Sequence, residues 1–460
     1  MSQELLRKIP NVQELLNHSE IKNYPLDEVN KRFVLNQTLA DLRQKILKQD
    51  IREINNEIII KAILETLDQK NSYSLRKVIN GTGVILHTNL GRSILPRESL
   101  LNFIEINSGY ANVEYDLETQ KRGNREKHLE KILQELTGCE ASCVVNNNAS
   151  AVFLVLNTLS KNKKIIISRG ENVEIGGSFR IPEIIKASGA KIVDIGTTNK
   201  TYENDYKLAI EEEPSANMML KIHKSNYDII GFSHTTSIKE LAPLKTDKIY
   251  LVEDQGSGTI FDLTRYNQKL TKENTVKDSL QDGADLVLFS GDKLLGSAQA
   301  GIIVGKKELI AKIKKNQLFR MLRTSKMVTS ILEATLSLYK DEELAIKNIP
   351  TLKMICESVK EVEKRVDLFL KLTHESLFSF EKINSQATIG GGSLPGDEIE
   401  SWAVKVNYKD FSLNKINDLF HKLPTPIICK LQNKSLIIDF KTIQEHEIER
   451  LVEVINNVNW

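Results

Sequence analysis

Residues 286–305, LVLFSGDKLLGSAQAGIIVG, contain the pattern that decides the fold. The apolar residues 286–289 predict a buried strand that ends at Ser290, and residues 300–305 predict a second strand. Lys293 therefore lies in a turn of small residues between two strands. A desolvated lysine there can form a Schiff base with an aldehyde cofactor, expected to be pyridoxal phosphate. For a single lysine in such a turn, the alternative is a solvated loop residue.

The composition is that of an ordinary globular enzyme. The 460 residues are 40% hydrophobic, and 63 Lys and Arg against 61 Asp and Glu leave a net charge of only +2. This balance gives no sign of a polycationic nucleic-acid-binding tail. The four cysteines fit neither a disulfide framework nor a metal-ligand pattern, so we expect reduced thiols and no metal. No apolar run approaches the roughly 20 residues that span a bilayer, so we expect a cytoplasmic protein without membrane contact.

Residues 141–159, ASCVVNNNASAVFLVLNTL, predict a strand, an asparagine turn and a helix that begins near Ala149. Backbone N–H groups at a helix start are unpaired and attract anions, and small side chains let a phosphate approach. Asn147, Asn148 and Ala149 are therefore predicted to bind the cofactor, together with Ser290 before the lysine turn. Simple capping of the helix by Asn148 is the alternative.

A carboxylate follows the strand predicted at residues 248–252. Asp254 comes at the carboxyl end of that buried strand, where a carboxylate is costly unless it is paired. A protonated pyridine nitrogen would pair it and keep the cofactor ring an electron sink. Asp254 is therefore the candidate partner of the cofactor ring, with a structural ion pair as the alternative.

The predicted elements divide the chain into three parts. Residues 1–75 predict a helical domain, 76–345 a large α/β domain with a parallel sheet, and 346–460 a small α+β domain. Gly176 and Gly177 are predicted to form part of the pocket wall. The expected elements include strands at 84–86, 165–167, 192–195, 228–232, 402–406, 427–431 and 436–440, a long helix at 351–372 and a turn at 432–435.

Arginines occur at three points that the predicted loops could bring together. Arg92 follows the strand predicted at 84–86, Arg125 precedes an amphipathic helix, and Arg320 and Arg323 are predicted to share one helical face. Arginine forks suit tetrahedral oxyanions, but an RNA backbone or an acidic neighbour could use the same residues. An anionic cosubstrate, RNA and a structural ion pair therefore all stay open from the residues alone.

Seven strings in this order resemble bacterial selenocysteine synthase, the L-seryl-tRNA(Sec) selenium transferase family. The resemblance runs from about Leu5 to the C-terminus. Two departures from the family pattern are LGSAQAG, where LGGPQAG is common, and the acidic residues before GSG. The seven strings are INGTGVILHTNLGR, VEYDLETQKRGNR, VVNNNASAV, SRGENVEIGGSFRIPEI, GTTNKTYENDY, SNYDIIGF and SGDKLLGSAQAGIIVGKKELIA.

This resemblance implies a fold-type I, aspartate aminotransferase-like domain in which Lys293 holds pyridoxal 5′-phosphate and Asp292 is catalytic. It implies that Arg92, Arg320 and Arg323 hold the phosphate-like part of selenophosphate, with Arg125 in the same pocket. The N-terminal domain would help to grip tRNA(Sec) charged with serine, and dimers would assemble into a ring of ten subunits. The expected reaction is β-elimination of water to an aminoacrylyl-tRNA, followed by addition of selenium to give selenocysteinyl-tRNA(Sec).

Two other classes of function remain as alternatives. A related pyridoxal phosphate lyase acting on a small amino acid or amino sugar acid would share the lysine motif. A catalytically silent RNA-binding or scaffold protein would bind no chromophore. Visible absorbance therefore separates the RNA-binding or scaffold protein from the selenium transferase and the lyase.

Overall fold

The computed structural model describes residues 2–51, 53–71, 73–175, 179–224, 227, 229, 231–374, 378–408 and 412–457. The chain forms two compact units, Met1–Lys77 and Val78–Trp460. Our predicted division of the second unit at residue 345 stays a prediction. Gly176 and Gly177, expected in the pocket wall, lie outside the described residues.

The first unit is helical, as the apolar periodicity predicted. Its longest helix, Glu28–Leu47, starts at Asp27, whose carboxylate accepts a hydrogen bond from Asn30 N and so caps the helix. Residues three or four apart on this helix are buried, among them Leu35 and Leu39, and they build a core of their own. The helices of this unit are Ser2–Arg7, Val12–Asn17, Ser19–Lys22, Glu28–Leu47 and Asn56–Asn71.

A seven-stranded sheet forms the centre of the second unit. Six of its strands run parallel to one another, while Gly301–Gly305 runs antiparallel to both of its neighbours. Most residues of these strands are buried, as expected for a sheet with apolar clusters on both faces. The spatial order is Ala141–Val145, Gly301–Gly305, Leu286–Ser290, Tyr250–Gly256, Ala216–Ile222, Lys164–Ser168 and Lys191–Ile195.

Helices and two small hairpins surround this sheet. The hairpins pair Tyr115–Asp116 with Lys121–Arg122 and Glu174–Ile175 with Phe179–Arg180. Each βα connection brings a loop to the carboxyl edge of the parallel strands, which is where sites lie in such folds. The helices are Arg97–Asn107, Lys127–Thr137, Asn148–Ser160, Ile181–Ala187, Glu203–Glu212, Ile238–Leu241, Val276–Gln281, Lys307–Lys315, Gln317–Leu322 and Lys326–Leu338.

The C-terminal part contains a five-stranded sheet with a separate core. The turn predicted at 432–435 is confirmed, because Gln432 pairs with Ser435 across an antiparallel hairpin. Its edge strand Ile79–Gly81 comes from the start of the unit and runs parallel to its neighbour. The spatial order is Ile79–Gly81, Ile427–Gln432, Ser435–Asp439, Glu398–Tyr408 and Phe378–Thr388, and the helices are Glu342–Asn348, Pro350–Cys356, Val359–Leu372, Leu413–Lys422 and Ile448–Asn456.

The strand predicted at 228–232 is wrong. Residues 229, 231 and 232 are not in a strand, 228 and 230 lie outside the described residues, and the sheet uses Ala216–Ile222 instead. Lys221 interrupts the apolar pattern of that strand but is buried in an ion pair with Glu171. A buried lysine with a carboxylate partner is tolerated in a strand, and the local pattern gives no sign of that partner.

Two further predicted elements are also wrong. Residues 84–86 are not a regular strand, although Ile85 N donates to Thr388 O over 3.0 Å. The helix expected at 351–372 is two helices, Pro350–Cys356 and Val359–Leu372. The chain is extended at Glu357, whose carboxylate accepts hydrogen bonds from Arg365 at 2.6 and 2.8 Å.

Candidate active site

Lys293 lies in a tightly bonded turn between the strands Leu286–Ser290 and Gly301–Gly305. Gly291 N donates to Ala300 O at 2.9 Å, and Ser297 N donates to Gly291 O at 2.8 Å. The turn is also tied to the next strand end, because Leu294 N donates to Ser257 O at 3.1 Å. The backbone of the predicted nucleophile is therefore held in place, as the first motif of the sequence indicated.

The Lys293 side chain is buried, with only 6% of the residue exposed. Burial lowers the pKa of its amine, while the charge of Asp254 raises it and that of Arg92 lowers it further. The net shift is downward, which increases the fraction of neutral, nucleophilic amine near neutral pH. The predicted desolvated lysine is confirmed, and a solvated loop lysine is excluded.

Asp254 lies in the neighbouring strand Tyr250–Gly256 and is 4% exposed. Asn148 Nδ2 donates to Asp254 Oδ1 at 2.7 Å, which joins the strand-end carboxylate to the asparagine turn. Burial raises the pKa of Asp254, although the hydrogen bond from Asn148 and the charge of Lys293 act against that rise. A buried carboxylate of this kind is stabilised most by a cationic partner.

The asparagine turn begins the helix Asn148–Ser160. Asn147, rather than Asn148, is the capping residue, because its side chain accepts from Ser150 N at 2.8 Å. Asn148 is free to reach Asp254, and its Oδ1 is buried with no hydrogen-bond partner among the described residues. The backbone of Asn148 and Ala149 lies at the positive end of the helix dipole, where a phosphate binds favourably.

Arg92 and Asp292 form an ion pair beside the lysine. Arg92 Nη1 lies 2.8 Å from Asp292 Oδ2, and both side chains are largely buried. Arg92 has a left-handed backbone (φ 61°), and the adjacent Ser93 N donates to Asp292 O at 3.4 Å. The loop after the wrongly predicted strand therefore does reach the lysine turn.

A second set of arginines gathers around Glu114. Arg125 and Arg323 both contact Glu114 Oε1, at 2.9 and 3.1 Å, and Arg122 contacts Oε2 at 3.3 Å. Burial raises the pKa of Glu114, but the charges of Arg125, Arg323 and Arg122 outweigh it, so the pKa lies below its usual value. Three guanidinium groups share one carboxylate, which leaves this cluster with excess positive charge.

Arg320 and Arg323 do not share a helical face, so that prediction is wrong. Arg320 is exposed in the last turn of the helix Gln317–Leu322, whereas Arg323 follows the helix with extended backbone. Extended backbone at Arg323 allows an isolated bridge to Val145, which places it beside the asparagine turn. Of the four predicted anion-binding arginines, Arg125 and Arg323 are thus brought together, while Arg92 pairs with Asp292.

The sequence interpretation missed four residues that contact the lysine or its surroundings, namely Gly392, Glu273, Leu394 and His223. Lys293 Nζ lies 3.5 Å from Gly392 O, in the loop formed by residues 389–397, IGGGSLPGD, which we call the glycine loop. Glu273 accepts a hydrogen bond from Leu394 N of this loop at 3.3 Å and another from His223 at 2.9 Å. The run of three glycines was the signal that could have identified this loop.

These residues match what a pyridoxal phosphate site requires. A buried amine, a buried carboxylate and a helix start occur at neighbouring strand ends, and the Asn148 Oδ1 and His87 Nδ1 atoms are buried without partners among the described residues. Within the described ranges, no cluster of three or more His, Cys, Asp or Glu side chains could hold a metal ion. In the same ranges, every helix is too short or too polar to cross a bilayer.

The sheet order, with its single returning strand and the lysine turn, is that of the fold-type I, aspartate aminotransferase-like class. D-Glucosaminate-6-phosphate ammonia-lyase shares this fold, with a TM-score of 0.58 at 18% identity over 83% of this chain and 95% of that one. A family model described as SelA, L-seryl-tRNA selenium transferase, matches residues 78–444. The chain belongs to this L-seryl-tRNA selenium transferase family.

Full-length relatives agree with this assignment. The L-seryl-tRNA(Sec) selenium transferase of Clostridium botulinum (strain Okra / Type B1) is 43% identical over 456 residues, which cover 98% of each chain. The protein of the same description from Aliarcobacter butzleri (strain RM4018) is 44% identical and covers 99% of this chain and 98% of its own. The similarity therefore includes the N-terminal helical unit, which lies outside the residues that the family model matches.

Proposed function

We propose that this chain is an L-seryl-tRNA(Sec) selenium transferase that uses pyridoxal 5′-phosphate to convert seryl-tRNA(Sec) into selenocysteinyl-tRNA(Sec). The observation that carries the proposal is the buried Lys293 beside the buried Asp254, in a chain that belongs to this family. When bound, pyridoxal phosphate supplies an aldehyde for an amine and a ring that delocalises negative charge from a substrate carbon. The residues of the chain supply the rest.

Lys293 is the proposed cofactor-binding and catalytic lysine. Its lowered pKa lets the amine exist in its neutral form, so that it can take the α-proton of the seryl group and hold it at Nζ. Asp292, paired with Arg92, is proposed to act beside it as a catalytic residue. The hydrogen-bonded backbone of the turn holds both groups at fixed positions beside the strand ends.

The proposed cofactor contacts divide between two ends of the ring. Asp254 would pair with the protonated ring nitrogen, and the hydrogen bond from Asn148 orients its carboxylate for that contact. Asn147, Asn148 and Ala149 would hold the phosphate at the start of the helix, with Ser290 beside the lysine turn. The partnerless Asn148 Oδ1 supports a polar ligand at this position.

The arginines are proposed to bind selenophosphate. Arg125 and Arg323 share Glu114, and Arg92 lies next to Lys293 through Asp292, so guanidinium groups flank the lysine turn and the asparagine turn. Arg320 is exposed and lies three residues before Arg323 in the chain, and it is also proposed to bind selenophosphate. Because the substrate carboxyl group is esterified to tRNA, no arginine is needed to clamp an α-carboxylate.

We propose two macromolecular partners. The N-terminal unit Met1–Lys77 would contact tRNA(Sec), and copies of the chain would form dimers that assemble into a ring of ten. The helix Arg97–Asn107 supports self-association, because Leu100, Leu101 and Ile104 on its surface are 45%, 56% and 62% exposed. Apolar side chains grouped in this way commonly mark a protein interface.

The test supplies seryl-tRNA(Sec) and selenophosphate to the purified chain and measures selenocysteine on the tRNA. We expect product, visible absorbance that borohydride removes, and loss of both in Lys293→Ala. The matched control is Lys340→Ala, which removes an exposed lysine paired with Glu135 and should retain activity. Deamination of free amino acids or amino sugar acids without selenium transfer would instead establish a lyase, and an absent chromophore would contradict the proposal.

A further inference from the structure

The glycine loop extends from the C-terminal sheet to the lysine. It connects the strands Phe378–Thr388 and Glu398–Tyr408, and its Gly392 carbonyl faces Lys293 Nζ at 3.5 Å. Gly391 has a left-handed backbone (φ 50°), and a Cβ there would clash with the carbonyl of Leu86. The close approach of two backbones therefore requires glycine and sets the loop against the active-site wall.

Glu273 binds this loop through a hydrogen bond. Its Oε1 accepts hydrogen bonds from Leu394 N at 3.3 Å and from His223 Nε2 at 2.9 Å, while its Oε2 accepts from Thr259 Oγ1 at 3.1 Å. Both carboxylate oxygens are thus used, and the side chain is 8% exposed. A buried carboxylate with three donors has a fixed position, so the contact to Leu394 is an anchor point for the loop.

The loop has a second anchor at its other end. Asp397 accepts hydrogen bonds from Thr271 N and Thr271 Oγ1, both at 2.8 Å. Glu273 differs from Asp397 because it also acts electrostatically on the Lys293 amine. The charged groups that favour the charged amine are Asp254, Asp292 and Glu273, and Arg92 opposes them.

We propose that Glu273 is a positioning residue for Lys293, since it anchors the glycine loop against the lysine while its carboxylate, held in place by His223, adds negative charge to the surroundings of the amine. This inference rests on the proposed function for the role of Lys293 as the cofactor lysine. His223 orients the carboxylate and is itself tied to the active-site strands, because His223 N donates to Asp254 O at 2.9 Å. The anchor therefore joins the glycine loop to the strand that carries Asp254.

Two variants separate anchoring from charge. Glu273→Ala removes both, whereas Glu273→Gln keeps an oxygen that can accept from Leu394 N, removes the charge and replaces the oxygen that accepts from Thr259 Oγ1 by an amide group. Glu342→Gln, which changes a half-buried carboxylate paired with Arg265, is the matched control. Loop anchoring is measured by hydrogen exchange of the amides at 390–397 in the full chain. The charge effect is measured by pH-dependent labelling of Lys293 with an amine reagent, followed by mass spectrometry, in the full chain from which pyridoxal phosphate has been removed.

In Glu273→Ala, we expect the Leu394 amide to exchange about tenfold faster, because it loses one hydrogen bond. In Glu273→Gln and in the control, the exchange rate should stay near that of the wild type. Both Glu273 variants should label Lys293 at lower pH than the wild type, because a carboxylate that raises the pKa of the amine is gone. Unchanged loop exchange in Glu273→Ala, or an unchanged labelling profile in both variants, would overturn the inference. Neither measurement needs bound cofactor, so a missing chromophore would count against the proposed function alone.

Discussion

Lys293 and Asp254 are two charged groups that are costly to bury separately and much less costly to bury together. Each is about 5% exposed, at 6% and 4%, and each favours the charged form of the other. An uncompensated buried charge costs several kcal/mol, so removal of either partner leaves the other with that penalty. This mutual dependence is the physical reason that both groups can be buried.

The His223–Glu273 pair predicts a specific pH dependence of stability. Burial lowers the pKa of His223, but the hydrogen bond and charge of Glu273 outweigh it, so the pKa is raised in the folded chain. The stability that this histidine contributes is therefore complete below the unfolded value of about 6.5 and is lost as pH rises through the folded pKa. We expect His223→Gln to destabilise the chain more at pH 6 than at pH 9, measured by urea unfolding.

At acid pH, the stability that Glu273 contributes to the same pair changes with pH in the opposite direction. Burial raises the pKa of Glu273, but the hydrogen bond and charge of His223 outweigh it, so its folded pKa is lowered. Its contribution is present above the unfolded value of about 4.3 and is lost as pH falls through the folded pKa. A cost of His223→Gln that stays constant from pH 6 to pH 9 would contradict the ion pair.

The residues of the site differ in how far the sequence could predict them. Lys293, Asp254 and Asn148 each follow a run of apolar residues, so a local pattern places them at one edge of the sheet. Glu273 could not be identified in this way, because its partners His223 and Leu394 lie 50 and 121 residues away in the chain. Such contacts depend on how loops of different elements meet, which no local pattern specifies.

At the scale of elements, the returning strand Gly301–Gly305 supports the asparagine turn, which is the proposed cradle of the cofactor phosphate. Gly301 packs directly under the asparagine turn, and a Cβ at this position would overlap the carbonyl of Asn147. The strand can therefore begin only with glycine if the helix Asn148–Ser160 is to keep its start. The sequence predicted both elements, but their contact follows from the order of strands in the sheet.

Gly301→Ala should therefore disturb the cradle. We expect a loss of about 1–3 kcal/mol in the free energy of unfolding, because backbone atoms must move to make room, together with weaker retention of pyridoxal phosphate. Gly109→Ala is the control, since a Cβ there meets no atom within 4 Å. Thermal unfolding and cofactor titration of both variants make the comparison, and equal behaviour would contradict the predicted overlap.

Lys221 explains why one element escaped the sequence interpretation. The strand Ala216–Ile222 is fully buried, yet it carries a lysine whose charge is compensated by Glu171 and an asparagine, Asn217, that donates to Leu159 O at 2.7 Å. A prediction from local hydrophobicity therefore underestimates how deeply this strand is buried. Its partners come from other loops, so only the assembled sheet shows that the polar residues can be buried.

At the scale of the whole molecule, the chain separates into the units Met1–Lys77 and Val78–Trp460, each with its own core. All residues of the proposed active site belong to the second unit. Residues 78–460 expressed alone should therefore fold and acquire the cofactor chromophore. They should bind seryl-tRNA(Sec) more weakly than the full chain, as filter binding would measure, if the first unit contacts tRNA. Equal tRNA affinity would contradict that role.

The bonded turn around Lys293 has a mechanical consequence. Since the backbone on both sides is tied to neighbouring strands, the amine can travel only by rotation about the four carbon–carbon bonds of its own side chain. The side chain thus has a fixed point of attachment and a limited reach, and that reach would set the distance over which the proposed catalytic lysine can carry a proton.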